Sequence, residues 1–121
     1  MALELSLRVA APEDVYDTVI IGGGPAGLSA AIYAARAELK TLVVDMNPKA
    51  GALAITSKIA NYPGVPEAVS GEELLSRFRR QAESFGAEIV QAQVLATSLR
   101  GEVKEVVTSE GVFKAKTVII A

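Results

Sequence analysis

The sequence predicts an α/β domain: a parallel sheet covered by helices, extended by a three-stranded antiparallel β-meander. Three observations carry this expectation. A β-branched run ends in three glycines and leads into an Ala-rich helical segment and a second apolar run, the order strand, turn, helix, strand. Half of the 121 residues are hydrophobic, chiefly Ala, Val, Ile and Leu, with aromatics at only 5%, as suits a sheet covered on both faces. Past Val94 the chain breaks into short segments separated by Arg100-Gly101 and Glu110-Gly111, the turn chemistry of antiparallel hairpins.

Each element follows from its residues. Residues 1–15 read as a polar lead-in, broken by Pro12-Glu13-Asp14. Residues 16–121 form one domain. Tyr16-Asp17-Thr18-Val19-Ile20-Ile21 is a buried strand. The turn Gly22-Gly23-Gly24 follows, and Pro25 sits in the first turn of a helix, where its missing N–H does no harm. That helix runs to about Leu39. Thr41-Leu42-Val43-Val44, ending in Asp45, is the next strand and closes a βαβ unit whose hand is nearly forced. Residues 46–69 are punctuated by Pro and Gly. They are expected to be irregular, with one short helix over 53–59, and a loop of that length is usually functional.

Ser70-Gly71-Glu72-Glu73 fits a capping box, Ser70 capping and Glu73 reaching back. Leu74, Leu75, Phe78, Ala82 and Phe85 share one face of the helix that follows. Arg77, Arg79 and Arg80 take the other, as a solvated face paired with Glu72, Glu73 and Glu83. Gly86 suits a left-handed cap. Ala87-Glu88-Ile89-Val90 is a third parallel strand. The meander is expected over 94–99, 103–108 and 112–115, and Thr117-Val118-Ile119-Ile120-Ala121 is a further buried strand.

Composition removes several function classes. The net charge is −2, with no basic surplus to neutralise a nucleic-acid backbone. Cys and His are both absent, so no disulfide, no thiolate nucleophile, no Ser-His-Asp triad and no common zinc site can form from these residues. No catalytic or metal-ligating residue is assigned. Any hard chemistry belongs to a bound cofactor or to residues elsewhere. The first eight residues carry Glu4 where a secretory signal needs an apolar run. The most apolar stretch, 19–37, is interrupted by the glycines, Pro25, Ser29 and Arg36. A soluble cytoplasmic protein is expected, with no membrane partner.

The residues that point to a ligand are Gly22-x-Gly24-x-x-Gly27 between strand and helix, with Asp45 after the second strand. Gly22 permits the tight turn, Gly24 lets a pyrophosphate approach the backbone, and Gly27 lets the helix lie close to the sheet. The helix's free amides and its dipole hold negative charge. Asp45 can accept hydrogen bonds from ribose hydroxyls and would repel a 2′-phosphate, so NADP is disfavoured at this site, while FAD and NAD both remain. The small residues Ala30, Ala31, Ala34 and Ala35 allow close packing or simply favour a helix. Tyr33 reads as packing.

At these residues the chain resembles a known family. Gly22-Gly23-Gly24-Pro25-Ala26-Gly27 with Ala31-Ile32-Tyr33-Ala34-Ala35-Arg36-Ala37 is similar to the FAD-binding start of low-molecular-weight thioredoxin reductases. So are Ile59-Ala60-Asn61-Tyr62-Pro63-Gly64, Ser70-Gly71-Glu72-Glu73-Leu74, Ala82-x-x-Phe85-Gly86-Ala87-Glu88 and the closing Val118-Ile119-Ile120-Ala121. The resemblance runs from Tyr16 to the end and implies a Rossmann-like FAD-binding domain, the N-terminal part of such a protein and incomplete by itself. By match, Gly22, Gly24, Pro25, Ala26, Gly27 and Asp45 line the adenosine half of FAD. Gly51 and Leu53 meet the linker side, Asn61 the ribityl or ring region, Val94 the adenine, and Ala121 the cofactor near the closing strand. An amide such as Asn61 both donates and accepts, as a flavin's polar edge requires, though turn formation before Tyr-Pro also explains it. The family's usual Gly-Gly-Gln-Leu is here Ala50-Gly51-Ala52-Leu53, so Ala52 lacks the amide contact to the flavin.

The implied parent reaction passes electrons from NADPH or NADH through FAD to a disulfide, on thioredoxin or another redox protein, in a homodimer. The nicotinamide domain and the Cys-x-x-Cys pair would lie outside these residues, so the 121 residues alone are expected to have no disulfide reductase activity. Three other readings stay open: a ferredoxin–NADP reductase of the same architecture, an NAD-dependent dehydrogenase domain, and a fragment without turnover.

Overall fold

The structure, a computed structural model, describes residues 15–48 and 51–121. Apart from Val15, the expected polar lead-in lies outside the described residues. The elements are β1 (Val15–Ile21), α1 (Pro25–Arg36), β2 (Thr41–Asp45), α2 (Gly71–Ser84), β3 (Glu88–Gln91), β4 (Val94–Ser98), β5 (Lys104–Thr108) and β6 (Gly111–Ile120). They form one six-stranded sheet in the order β3-β2-β1-β6-β5-β4. β3, β2, β1 and β6 run parallel, and β6, β5 and β4 form the antiparallel meander.

The period of two along each strand sorts the core into two faces. Ile20 and Val43 pack with Ala31 and Ala35 of α1 and Ala82 of α2. Val19, Leu42 and Val44 pack with Ala92, Val106 and Ala115. Side chains such as Ile20, Val43, Leu28 and Leu74 are at most 1% exposed, and each such burial stabilises the fold by about 1.5–3 kcal/mol. The buried stripe of α1 is Gly27, Leu28, Ala31 and Ala35, so its small residues do bring it onto the sheet. Tyr33, expected to pack, is 76% exposed because it points off this stripe.

Both helices end in the same motif. In α2, Gly86 has φ +105 and its N–H donates to the Glu83 carbonyl while Ala87 N–H donates to Ala82, the Schellman pattern. α1 stops at Arg36 rather than Leu39 because Glu38 takes the same left-handed place, with φ +63 and N–H bonds from Glu38 to Ala35 and Leu39 to Ala34. At the start of α2, Ser70 Oγ accepts the Glu73 N–H at 3.1 Å. The Glu73 carboxylate does not complete the box. It turns outward to Arg77 at 3.2 Å and Arg80 at 3.8 Å, and Arg77 also reaches Glu67 at 2.8 Å. Phe85, expected in the apolar face, is 42% exposed beneath the Arg36 guanidinium.

Two further expectations are corrected. The last two strand segments are one strand. β6 pairs antiparallel with β5 over Gly111 to Ala115 and parallel with β1 from Lys114 onward, with Ala115 partnered on both edges. Past Ala115 β5 has ended, and Ile119 and Ile120 are 39% and 72% exposed rather than buried. The helix expected over 53–59 is absent. Residues 51–55 make a turn closed by Ile55 N–H to Gly51 and Thr56 N–H to Leu53, and Ile59 bridges Val69. So short a segment lies below the length at which a helix sustains itself.

Candidate functional site

The site is built where β1 and β2 end and α1 begins. Gly22 carries φ +113, and its N–H donates to the Val44 carbonyl at 2.9 Å, tying the turn to β2. A Cβ at Gly22 would lie 2.5 Å from the Ala121 carbonyl oxygen. Ala121 is held there by its own N–H bond to Ile21 at 2.9 Å. The glycine motif and the end of the closing strand therefore meet. Gly27 is a close approach of the same kind, whereas a Cβ at Gly24 would meet none of the described residues within 4 Å. Space is left open at the one position where the motif needs room for a ligand.

The mouth of α1 is electrostatically incomplete. Gly24, the N-cap, has no side chain to cap with, Pro25 occupies the first position and no acid lies in the first turn. The first intrahelical bond is Leu28 N–H to Gly24 at 3.0 Å. The amides of Gly24, Ala26 and Gly27 have no protein acceptor among the described residues. Free amides at the positive end of a helix dipole form an anion site.

Asp45 stands beside this mouth. It is half-buried, and its carboxylate has no partner among the described residues. A Cβ on Gly23 would fall 2.6 Å from Asp45 Oδ2. Gly23 is thus a site residue that the motif reading passed over, and its signal was the unbroken glycine triplet. A cavity of about 290 Å³ opens here, lined by Gly22, Asp45, Met46, Gln93 and Val94 above a floor of Ile21, Val44 and Ala92. Met46 and Gln93 were not expected, although each directly adjoins a residue that was. Asp45 is the one ionisable residue in this lining, so the cavity is equipped to bind rather than to move protons.

Gly51, Leu53 and Asn61 belong to the segment between β2 and α2, and none of them lines this cavity. Gly51 and Asn61 are exposed, and Leu53 is half-buried. The Leu53 carbonyl is pressed against Gly71, where a Cβ would lie 1.6 Å away. Gly71 is a second residue that sequence reasoning missed, since it fixes the turn carrying Gly51 and Leu53. Ala52 is exposed, and its carbonyl accepts the Thr56 hydroxyl at 2.9 Å. The groups whose titration is shifted lie elsewhere: Asp17 at the opposite end of β1, and the Glu67–Arg77 pair on and before α2. A polar depression of about 280 Å³ along α2, lined by residues including Ser70, Ser76 and Arg79, holds none of the expected ligand contacts. Among the described residues no group of His, Cys, Asp and Glu is placed to hold a metal.

Known proteins resemble this chain in sequence and fold. Residues 16–121 match the family described as pyridine nucleotide-disulphide oxidoreductase. A thioredoxin reductase of Aquifex aeolicus (strain VF5) is 55% identical over 111 residues, covering 91% of this chain and 34% of that protein. A thioredoxin reductase of Peptoclostridium acidaminophilum is 43% identical over 109 residues, covering 90% of this chain and 35% of its own length. The solved structure of a thioredoxin reductase from Gloeobacter violaceus matches with a TM-score of 0.87 at 52% identity, covering 89% of this chain and 34% of that one. The chain therefore spans about a third of the length of the curated relatives it matches.

Proposed function

The chain belongs to the pyridine nucleotide-disulphide oxidoreductase family, and from that premise we propose that its residues bind FAD for a thioredoxin reductase-like oxidoreductase. In the whole protein, electrons would pass from a nicotinamide cofactor, NADPH or NADH, through the flavin to a disulfide on a thioredoxin or another redox protein. The similarity to thioredoxin reductases supports the disulfide-reducing part of this reading. We extend the proposal to a cytoplasmic homodimer. Among the described residues no helix is long and apolar enough to cross a membrane.

The observation that carries the reading is the mouth of α1, open at Gly24 and flanked by Asp45, whose carboxylate has no partner among the described residues. The residues fit a dinucleotide. The amides of Gly24, Ala26 and Gly27 would take the pyrophosphate, with Pro25 presetting the first turn. Asp45 would accept the ribose hydroxyls, and Val94 and Met46 would give the base an apolar wall. Gly51, Leu53 and Asn61 would face the flavin half, and Ala121 would close the site beside Gly22. Bound flavin supplies the two-electron chemistry that no side chain here can perform. The chain's own work is to hold and orient it. With no Cys among its 121 residues, it does not by itself reduce a disulfide.

The test is titration of the chain with FAD, followed by quenching of flavin fluorescence. Saturable binding is expected, and its absence would overturn the reading. Asp45→Ala removes a charged acceptor that has no partner among the described residues. It should weaken FAD binding by roughly ten- to a hundredfold while leaving the circular dichroism spectrum unchanged.

A further inference from the structure

Resting on that reading, we propose that the side-chain amide of Gln93 reads the adenine edge of the bound dinucleotide and makes the cavity specific for that base. Gln93 lines the cavity and is exposed, and its amide has no partner among the described residues.

Its backbone, by contrast, is clamped. The Gln93 N–H donates to Ser109 Oγ at 2.9 Å, and the Ser109 N–H donates back to the Gln93 carbonyl at 2.9 Å. Ser109 is itself fixed by the turn between β5 and β6. There the buried Thr108 hydroxyl donates to the Gly111 carbonyl at 2.9 Å and accepts the Glu110 N–H at 3.1 Å. One residue earlier, the Ala92 N–H donates to the Asp45 carbonyl at 3.0 Å. The segment 92–93 is thus tied on one side to the residue assigned to the ribose and on the other to a locked turn. The backbone is what holds Gln93 at the rim of the apolar floor, and its side-chain amide, with no partner among the described residues, is left to meet a ligand, as the few polar groups of a pocket do.

The chemistry of the amide selects the base. A glutamine amide offers one acceptor and one donor side by side. Adenine presents the complement, an exocyclic amino donor next to a ring-nitrogen acceptor, and a well-formed pair of this kind discriminates strongly against bases lacking it. Asp45 and the α1 amides cannot supply this selectivity, since they contact parts common to every nucleotide.

The experiment compares FAD with its purine analogue, in which hydrogen replaces the exocyclic amino group, on the wild-type chain and on Gln93→Ala, by fluorescence titration. The wild type should favour FAD by about tenfold. Gln93→Ala should bind the two equally, with FAD held about tenfold more weakly and the melting temperature unchanged. If Gln93→Ala keeps the wild-type preference, the assignment of Gln93 fails while FAD binding stands. If the wild type binds neither compound, the FAD reading and this proposal fall together.

Discussion

The α-carbon of Gly27 stands so close to Gly22 that a Cβ on Gly27 would lie 1.8 Å from the Gly22 carbonyl oxygen. The first turn of α1 is thereby pinned to the turn that leaves β1. Gly27→Ala should destabilise the chain by about 3 kcal/mol, measured by urea unfolding, because backbone rather than a flexible side chain must move. Gly24 makes the contrast. With φ −81 and none of the described residues within 4 Å of its would-be Cβ, Gly24→Ala should leave stability within about 0.5 kcal/mol. It should nonetheless weaken FAD about tenfold, or roughly 1.4 kcal/mol, because the methyl group occupies space meant for the diphosphate. Equal stability losses in the two variants would contradict this division of roles.

Gly71 supports the site from outside it. Its would-be Cβ lies 1.6 Å from the Leu53 carbonyl oxygen, and its N–H donates to Thr56 at 2.8 Å. Gly71→Ala should cost about 2–3 kcal/mol and free the 51–59 segment. Limited proteolysis should then cut that segment faster than in the wild type, with the cleavage sites read by mass spectrometry.

What was legible in the residues was local chemistry. The glycine turn, Asp45, the Ser70 cap and the Gly86 stop each follow from one residue's conformational or hydrogen-bonding capacity, and each stands where expected. What escaped was decided by distant parts of the chain. Nothing in Val112-Phe113-Lys114-Ala115-Lys116-Thr117 shows that Ala115 pairs with Lys104 on one edge and Tyr16 on the other within one continuous strand, since that depends on where β1 and β5 lie. The 53–59 segment carries residues compatible with a helix, but the packing of Gly71 on Leu53 holds it in a turn. Met46 and Gln93 enter the cavity only because β2 and the β3–β4 connection converge there.

Glu38 occupies in α1 the position that Gly86 occupies in α2, yet it carries a side chain at φ +63. The left-handed conformation costs a non-glycine residue about 1 kcal/mol. Glu38→Gly should therefore raise stability by up to about 0.5 kcal/mol, after allowing for the greater freedom of glycine in the unfolded chain. Glu38→Ala removes the charge but keeps the strain and should gain nothing. Thermal unfolding of the two variants side by side separates backbone strain from charge.

Acid should weaken the fold through Asp17. The backbone N–H of Lys40 donates to Asp17 Oδ2 at 2.7 Å, and Lys116 Nζ lies 3.5 Å from Oδ1. The Lys40 N–H holds the Asp17 carboxyl below the ordinary aspartate range; desolvation opposes it less strongly, and the Lys116 ammonium adds to the lowering. A depressed folded-state pKa means that the unfolded chain binds its proton first as pH falls. The stabilisation is therefore complete above the unfolded value, about pH 4, and is lost as pH drops through the lower folded value. Glu67, depressed by Arg77, acts in the same sense, so no single substitution removes the whole acid limb. Asp17→Ala should be less stable than the wild type at pH 6, and the gap should close as pH approaches 3. A gap in urea midpoint that stays constant across that range would show that Asp17 acts through packing rather than charge.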